Sequence, residues 1–156
     1  MTGPYPATDT AGAAPLPPLW ALRPMRADDL HAIRPWWSDS YHDGDALLRE
    51  IPFRAFRDRM RGRIDRILAR AATECIVACL PEDTSHVIAF VVAERTTLHY
   101  VYVREARRGY GVARALTDAW YAGHPAGEAS HRTKAGAKIA AAWGLRYNPL
   151  AVEGPQ

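Results

Sequence analysis

Cysteine, lysine and long apolar runs are all scarce in this chain, and each shortage argues against a class of protein. Cys75 and Cys79 are the two cysteines, with no CxxC pair and no His/Cys cluster of zinc-ligand spacing. We therefore expect two buried thiols on one strand and no metal site. No apolar run is long enough to span a membrane, and the N-terminus lacks the basic and apolar regions of a secretory signal. The expected setting is the reducing cytoplasm, without membrane contact.

What the chain does have is the composition of one ordinary globular domain. Its 156 residues are 48% hydrophobic and 24% charged, which suits a single core. Its positive charges are arginines apart from Lys134 and Lys138, and the net charge of +3 suits acidic ligands such as phosphates. Residues 1–19 are rich in Pro, Ala, Gly and Thr. They are predicted to be a disordered, dispensable tail before a single domain at 20–156.

Hydrophobic periodicity predicts an α/β (α+β) chain with strand, two helices, three strands, helix, strand, helix and strand in that order. The first strand is WALRPM, and Asp28 and Asp29 then suit a helix start. Pro35 is expected to interrupt or end that helix together with the tryptophan pair after it. The central strands are ECIVACL, HVIAFVVAE and TTLHYVYV, the first two forming a hairpin. LRYNPLAV is predicted to close the domain as a last strand.

Residues 52–71 are predicted to form an amphipathic helix with one buried apolar stripe, made of Phe53, Phe56, Met60, Ile64, Ile67 and Leu68. Its arginines fall mostly on other faces: Arg54, Arg57, Arg61 and Arg63. A solvated basic face explains them, and a groove that steers an anionic substrate is the alternative.

The element that points to chemistry is a glycine-rich turn between the TTLHYVYV strand and a helix. It reads Arg107-Arg108-Gly109-Tyr110-Gly111-Val112-Ala113. Glycines let backbone amides approach a ligand closely, and the first amides of a helix have no partners within the helix. These amides, the helix dipole and two arginines favour a bound phosphate.

Three phosphate-binding patterns compete for this turn. A dinucleotide fingerprint would need Gly or Ala at Arg114, and the P-loop pattern G-x-x-x-x-G-K-[ST] is absent. The third pattern is [QR]-x-x-G-x-[GA], which is matched from Arg108 to Ala113. In this hexapeptide, and in the order of elements from about 20 to 152, the chain resembles the GNAT superfamily of acetyl-CoA-dependent N-acyltransferases. The ending SHRTKAG…WGLRYNP also loosely resembles small GNAT-like proteins of phages and prophages.

The resemblance implies a mixed, mostly antiparallel sheet with helices on both faces and a V-shaped split between the strand before the turn and the next strand. Acetyl-CoA is the implied cosubstrate, with its pantetheine arm in the split and its pyrophosphate on the turn. The implied cofactor-binding residues are Val101, Tyr102, Val103, Arg107, Arg108, Gly109, Tyr110, Gly111, Val112 and Ala113.

The family's usual catalytic residues are missing from their places. Thr97 stands where many members carry a glutamate base, so His99, two residues on and on the same strand face, is the predicted base and Glu94 the second candidate. A purely structural His99 is the alternative. Ala140 stands where many members carry a tyrosine acid. The candidates to replace that acid are Tyr147, Ser130, His131 and solvent.

The acceptor site is predicted from aromatic and polar residues near the first helix and before the last one, although core packing explains the aromatics equally well. They are Trp36, Trp37, Tyr41, Ser130 and His131. The implied reaction is direct attack of an amine, in a small molecule, peptide or nucleobase, on acetyl-CoA. Alternatives are a GNAT-like protein that binds nucleic acid or modifies DNA bases, and a CoA-binding module without catalysis. The family often forms homodimers, which makes a homodimer one expected assembly.

Overall fold

A six-stranded sheet organises the protein in this computed structural model, which describes residues 18–121 and 127–153. The strands lie side by side in chain order: Ala21–Pro24 (β1), Thr73–Cys79 (β2), Val87–Glu94 (β3), Thr97–Val103 (β4), Glu128–Ala129 (β5) and Arg146–Tyr147 (β6). Neighbours from β1 to β4 are antiparallel, whereas β5 is parallel to both β4 and β6. The mixed, mostly antiparallel sheet is thereby confirmed. The predicted tail lies outside the described residues, apart from its positions 18 and 19.

Four helices cover the two faces of the sheet, as predicted: Leu30–Gly44 (α1), Phe53–Leu68 (α2), Val112–Tyr121 (α3) and Lys134–Trp143 (α4). On one face, α1 and α2 bury Ile33, Trp37 and Ile64 against Phe90 and Tyr100 of the central strands. On the other face, α3 buries a second cluster, and α4 adds a partly buried isoleucine to it. β3 lies between the two clusters, and all eight of its residues are buried.

Three local predictions were wrong, each because of packing or backbone geometry. Pro35 lies inside α1, which continues to Gly44 because Trp37 and Tyr41 beyond the proline are anchored in the core. The carbonyl that Pro35 leaves without its helical donor belongs to His31, which is exposed and can be hydrated. Phe53 is 41% exposed at the first turn of α2, whereas the next four residues of the predicted stripe are buried. The last strand has only two residues, because a 3-10 helix, Pro149–Glu153, follows it.

The sheet splits between β4 and β5. The two strands pair only at Thr97 with Glu128 and at Leu98 with Ala129, after which the Ser130 amide donates to the Leu98 carbonyl at 3.0 Å. Beyond Ser130 the described chain turns into α4, while β4 continues along β3 to Val103. Ser130 therefore marks the vertex of a V, and the open arm of β4 runs from there to the glycine-rich turn.

Candidate active site

The open arm of β4 presents backbone polar groups to the gap. Arg104 donates its amide to the Ile88 carbonyl, so the residues two and four positions earlier, Tyr102 and Tyr100, also exchange their hydrogen bonds with β3. Because backbone groups alternate along a strand, those of Val101 and Val103 point the other way, into the gap. Of the three residues predicted to meet a pantetheine arm, Val101 and Val103 thus have the backbone orientation that the prediction needs, and Tyr102 does not.

The glycine-rich turn follows the open arm and has a backbone that only glycine adopts freely. Gly109 and Gly111 both have φ of +83°, and a Cβ built on either would meet nothing within 4 Å. The turn therefore leaves open space beside the backbone of both glycines. The Arg108 guanidinium donates from Nε to the Val103 carbonyl at 3.1 Å, which ties this cation to the end of β4.

The start of α3 lies at the end of the turn. The Gly111 carbonyl accepts the first helical hydrogen bond, from the Ala115 amide at 3.0 Å. The amides of Gly111, Val112, Ala113 and Arg114 precede that bond and have no partner within the helix. The Val112 side chain is buried in the core and fixes the helix start, so its contribution to a ligand is restricted to the backbone. A ligand phosphate fits these residues in charge and in donor geometry.

At the vertex, four side chains from β3, β4 and the segment after β5 form one continuous hydrogen-bonded chain, the vertex cluster: Glu94, His99, Ser130 and His131. Glu94 Oε2 lies 3.3 Å from His99 Nε2, and His99 Nδ1 lies 2.8 Å from Ser130 Oγ. Ser130 Oγ also lies 2.8 Å from His131 Nδ1. The exposed fractions of these residues run from 1% at His99 to 9% at Glu94. One unit therefore contains the predicted base, His99, the second base candidate, Glu94, and two predicted acceptor residues, Ser130 and His131.

A β-bulge directs His99 into this cluster. Leu98 is opposite Ala93 and Tyr100 is opposite Val92, so His99 is an extra residue on β4. Leu98 packs on the α3 face, whereas Tyr100 packs on the α1–α2 face with Phe90 and Val92. The extra residue changes the alternation at this point and lets His99 reach Glu94 on β3 and Ser130 after β5.

Burial and charge keep both imidazoles neutral and the carboxyl ionised. Burial lowers the pKa of His99, although the nearby Glu94 opposes that shift. Burial also lowers the pKa of His131 to about 3, and the proximity of His99 and Arg63 disfavours a second cation there. Burial alone would raise the pKa of Glu94, but hydrogen bonds from Arg70 and His99 hold it below its ordinary value. At neutral pH the cluster is therefore able to accept a proton.

Comparison with known proteins identifies the architecture. No family model and no curated protein matches the sequence. Among solved structures, an acetyl transferase from Pyrococcus furiosus is 14% identical, with a TM-score of 0.63, over 88% of this chain and 99% of that one. A GCN5-related N-acetyltransferase from Ralstonia eutropha is 21% identical, with a TM-score of 0.59, over 81% and 92%. An aminoglycoside N-acetyltransferase in complex with CoA is 17% identical, with a TM-score of 0.55, over 86% and 92%.

The chain has the GNAT acetyltransferase fold. Its V-shaped split is the one that the GNAT resemblance implies, and the glycine-rich turn lies between β4 and α3 of that fold. No helix among residues 18–121 and 127–153 is both long and apolar enough to cross a membrane. The same residues contain no group of three potential metal ligands.

A pocket of this GNAT fold opens between β4 and α4 and has the vertex cluster at one end. His99, Val101 and His131 line it, and α4 contributes Gly136 and Ala140. Ala140, which the sequence predicts to stand in place of a tyrosine acid, lines the same pocket as His131. Thr133, also in the wall, caps α4 through a bond from the Gly136 amide to its hydroxyl at 2.8 Å.

The predicted acceptor aromatics divide between surface and core. Trp36 is half-buried, stacks on Tyr102 at 5.3 Å and lies under the Arg104 guanidinium. Trp37 is fully buried and supports Tyr100 and His131 from behind, with ring centres at 5.1 and 5.2 Å. Tyr41 packs edge-on against His131 at 4.8 Å. Trp37 therefore acts on the site through its neighbours, whereas Trp36 has accessible surface near the open arm.

Two further positions complete the site. Tyr147 is 45% exposed on β6, with the Arg132 guanidinium at 6.0 Å from its ring centre, and it takes no part in the hydrogen bonds of the vertex cluster. Arg70, which sequence reasoning missed, donates from Nη1 to Glu94 Oε2 at 2.9 Å and from Nη2 to the Val152 carbonyl. It follows α2 in sequence and carries no motif, so only the tertiary structure could reveal this contact.

Proposed function

We propose that this protein transfers an acetyl group from acetyl-CoA to a primary amine by direct attack within a ternary complex. The observation that carries the proposal is the continuity of the open β4 arm. It links a proton-accepting cluster at the vertex to a phosphate-binding turn at the far end. Acetyl-CoA is the ligand whose chemistry fits both ends, because it has a thioester at one end and a pyrophosphate near the other.

The cosubstrate would extend along the gap. Its pyrophosphate would accept hydrogen bonds from amides at 109–113, with Arg107 and Arg108 supplying positive charge. The pantetheine amides would pair with the backbone groups of Val101 and Val103 in place of the missing strand neighbour. This arrangement brings the thioester toward the vertex, where burial and a base act on the attacking amine. Backbone amides of the open arm would stabilise the oxyanion of the tetrahedral intermediate.

The amine is proposed to enter over the α1 side of the pocket, past Trp36 and Tyr102. One protein of similar fold is an aminoglycoside N-acetyltransferase. For this chain the acceptor class is an amine small enough to reach the vertex, in a small molecule or at the end of a peptide. A nucleobase amine is the wider alternative to include in the assay.

The test combines binding with turnover. Titration calorimetry with acetyl-CoA should show saturable binding to the full chain, with thermal stabilisation that grows with ligand concentration. CoA thiol release is then followed with a polyamine, an aminoglycoside, an alanine-terminated peptide and adenosine as separate acceptors. Release stimulated by an amine supports the proposal. Binding without release for any acceptor would point to a CoA-binding module, and the absence of binding would overturn the cosubstrate itself.

A further inference from the structure

The vertex cluster has three contacts and three hydrogens to make them with, one on each neutral imidazole and one on the Ser130 hydroxyl, so each hydrogen can be assigned to an atom. Glu94 is paired with Arg70 and ionised, so its oxygens can only accept hydrogen bonds. The contact of 3.3 Å between Glu94 Oε2 and His99 Nε2 therefore needs the hydrogen on Nε2. A neutral His99 then has a bare Nδ1, which accepts from the Ser130 hydroxyl.

Ser130 passes this constraint on to His131. Its hydroxyl has one hydrogen, already donated to His99 Nδ1, so Ser130 Oγ must accept from His131 Nδ1 at 2.8 Å. A neutral His131 that carries its hydrogen on Nδ1 has a bare Nε2. This Nε2 is buried and has no hydrogen-bond partner among the described residues. Both nitrogens of His99, by contrast, are occupied, so His99 has no lone pair to offer a substrate.

We propose that the vertex cluster is a proton relay, in which His131 Nε2 takes the proton of the attacking amine and the resulting charge forms on His99 beside Glu94. This inference rests on the acetyl transfer proposed above and assigns the base within it. His131 is then the catalytic residue, because it lines the pocket that the amine would enter and its Nε2 has no partner among the described residues. Ser130, His99 and Glu94 are positioning residues that act through it.

The proton movement balances in one cycle. The amine nitrogen bonds to the thioester carbon, and its proton moves to His131 Nε2. The hydrogen on His131 Nδ1 passes to Ser130 Oγ, and the Ser130 hydrogen passes to His99 Nδ1, which makes His99 an imidazolium. The C–S bond breaks as the tetrahedral intermediate collapses, and CoA leaves as a thiolate with the electron pair. The relay then runs in reverse and releases its proton to that thiolate, giving the amide and CoA thiol.

The charged groups around the cluster explain why the charge moves. An imidazolium at His131 would be enclosed by the rings of Trp37, Tyr41 and Tyr100, with Arg63 of α2 disfavouring a cation there. Burial raises the pKa of Tyr41 to about 12 and raises that of Tyr100 as well, so both phenols remain neutral.

The surroundings of His99 differ in one decisive respect. His99 contacts the Glu94 carboxylate directly, although Arg70 on the far side of that carboxylate offsets part of its effect. An imidazolium is thus better stabilised at His99 than at His131. A relay through Ser130 removes the charge from the amine without leaving it on the less favourable imidazole.

The test is ¹⁵N NMR of the histidine rings in the resting full-length protein, which needs no acceptor. At pH 7.5 we expect His131 as the Nδ1–H tautomer and His99 as the Nε2–H tautomer. On acidification we expect His99 to become the imidazolium while His131 stays neutral and switches to the Nε2–H tautomer. An Nε2–H tautomer of His131 at pH 7.5, or charging of His131 before His99, would overturn the relay.

Two matched variants separate coupling from simple packing. Ser130→Ala should abolish the tautomer switch of His131 while His99 still titrates, whereas Ser130→Thr, which keeps the hydroxyl, should restore it. If Ser130→Ala retains the switch, Ser130 does not carry the proton. Acetyl-CoA added to the same wild-type sample should shift the amide signals of Gly109 and Gly111. Unmoved signals would refute acetyl-CoA as the cosubstrate. The relay is tested separately, by the tautomers of His99 and His131.

Discussion

Replacing Gly111 with aspartate should strongly weaken acetyl-CoA binding at a small and calculable cost in stability. A Cβ at Gly111 meets nothing within 4 Å, so the cost is backbone strain at φ of +83°. A side chain in that region costs about 1–2 kcal/mol. For a chain of this length each kcal/mol lowers Tm by about 2–4 °C, which gives a fall of about 2–8 °C. Since domains are typically stable by about 5–15 kcal/mol, Gly111→Asp should remain folded.

The expected loss of binding is larger and has two causes. Gly111 occupies the N-cap position of α3, so an aspartate there would accept hydrogen bonds from the same amides that the pyrophosphate needs. Its carboxylate would also repel the phosphates. One lost charge-assisted hydrogen bond is worth roughly 1.5–3 kcal/mol, and every 1.4 kcal/mol is about tenfold in Kd. We therefore expect Kd for acetyl-CoA to rise by at least about 10- to 100-fold.

Gly144→Asp is the matched control. Gly144 ends α4 with φ of +64°, and a Cβ there also meets nothing within 4 Å. An acid at a helix C-terminus adds about 0.3–1 kcal/mol of its own, so this variant should lose at least as much stability as Gly111→Asp. Scanning calorimetry gives the stabilities and titration calorimetry the affinities. The reasoning is refuted if folded Gly111→Asp binds like wild type, or if Gly144→Asp loses affinity equally.

Three further predictions follow from other parts of the structure. Arg108→Ala should weaken acetyl-CoA binding by less than Gly111→Asp does, because the backbone amides remain, and a titration that shows complete loss would contradict this. Trp37→Ala should lower the free energy of urea unfolding by about 3–5 kcal/mol because Trp37 is fully buried, whereas the half-buried Trp36→Ala should cost much less. The pKa of buried His131 is about 3 when folded and 6.5 when unfolded, so the unfolded chain gains protons first as pH falls. Wild type should thus lose up to about 1.4 kcal/mol of stability per pH unit between pH 6 and 5 through this residue, and urea unfolding of His131→Phe should show a shallower slope.

The strand, glycine-rich turn and helix of the candidate site could be predicted because their signals are local in sequence. Within 97–121 an apolar strand is followed by two glycines that need positive φ and then by an amphipathic helix. Each of these has its own periodicity or turn chemistry. The structure places Gly109 and Gly111 in the backbone conformation that their spacing indicates. The orientation of Tyr102 could not be predicted, because it depends on which β4 residues exchange hydrogen bonds with β3.

The elements that were predicted wrongly depend on distant contacts. The propensity of Pro35 to end a helix is outweighed by the burial of Trp37 and Tyr41 on the following turns. Phe53 fits the helical stripe by spacing, but it lies on the first turn of α2, where its side chain is 41% exposed. The spacing of apolar residues predicts the helix correctly, but it does not show which residues of the apolar stripe are covered by the rest of the protein.

The proposed proton relay depends on the β-bulge at His99, which the sequence pattern does not reveal. The sequence places His99 on the same strand face as Thr97, and it assigns Ser130 and His131 to an acceptor site or an acid. A regular β4 would have alternated its residues without interruption from Thr97 to Val103. The extra residue at His99 has two consequences for β4. The His99 side chain joins the vertex cluster, and the backbone groups of Val101 and Val103 point into the gap. The bulge therefore couples the position of the His99 side chain to the backbone orientation of Val101 and Val103, and a single-residue deletion at 99 should disrupt both together.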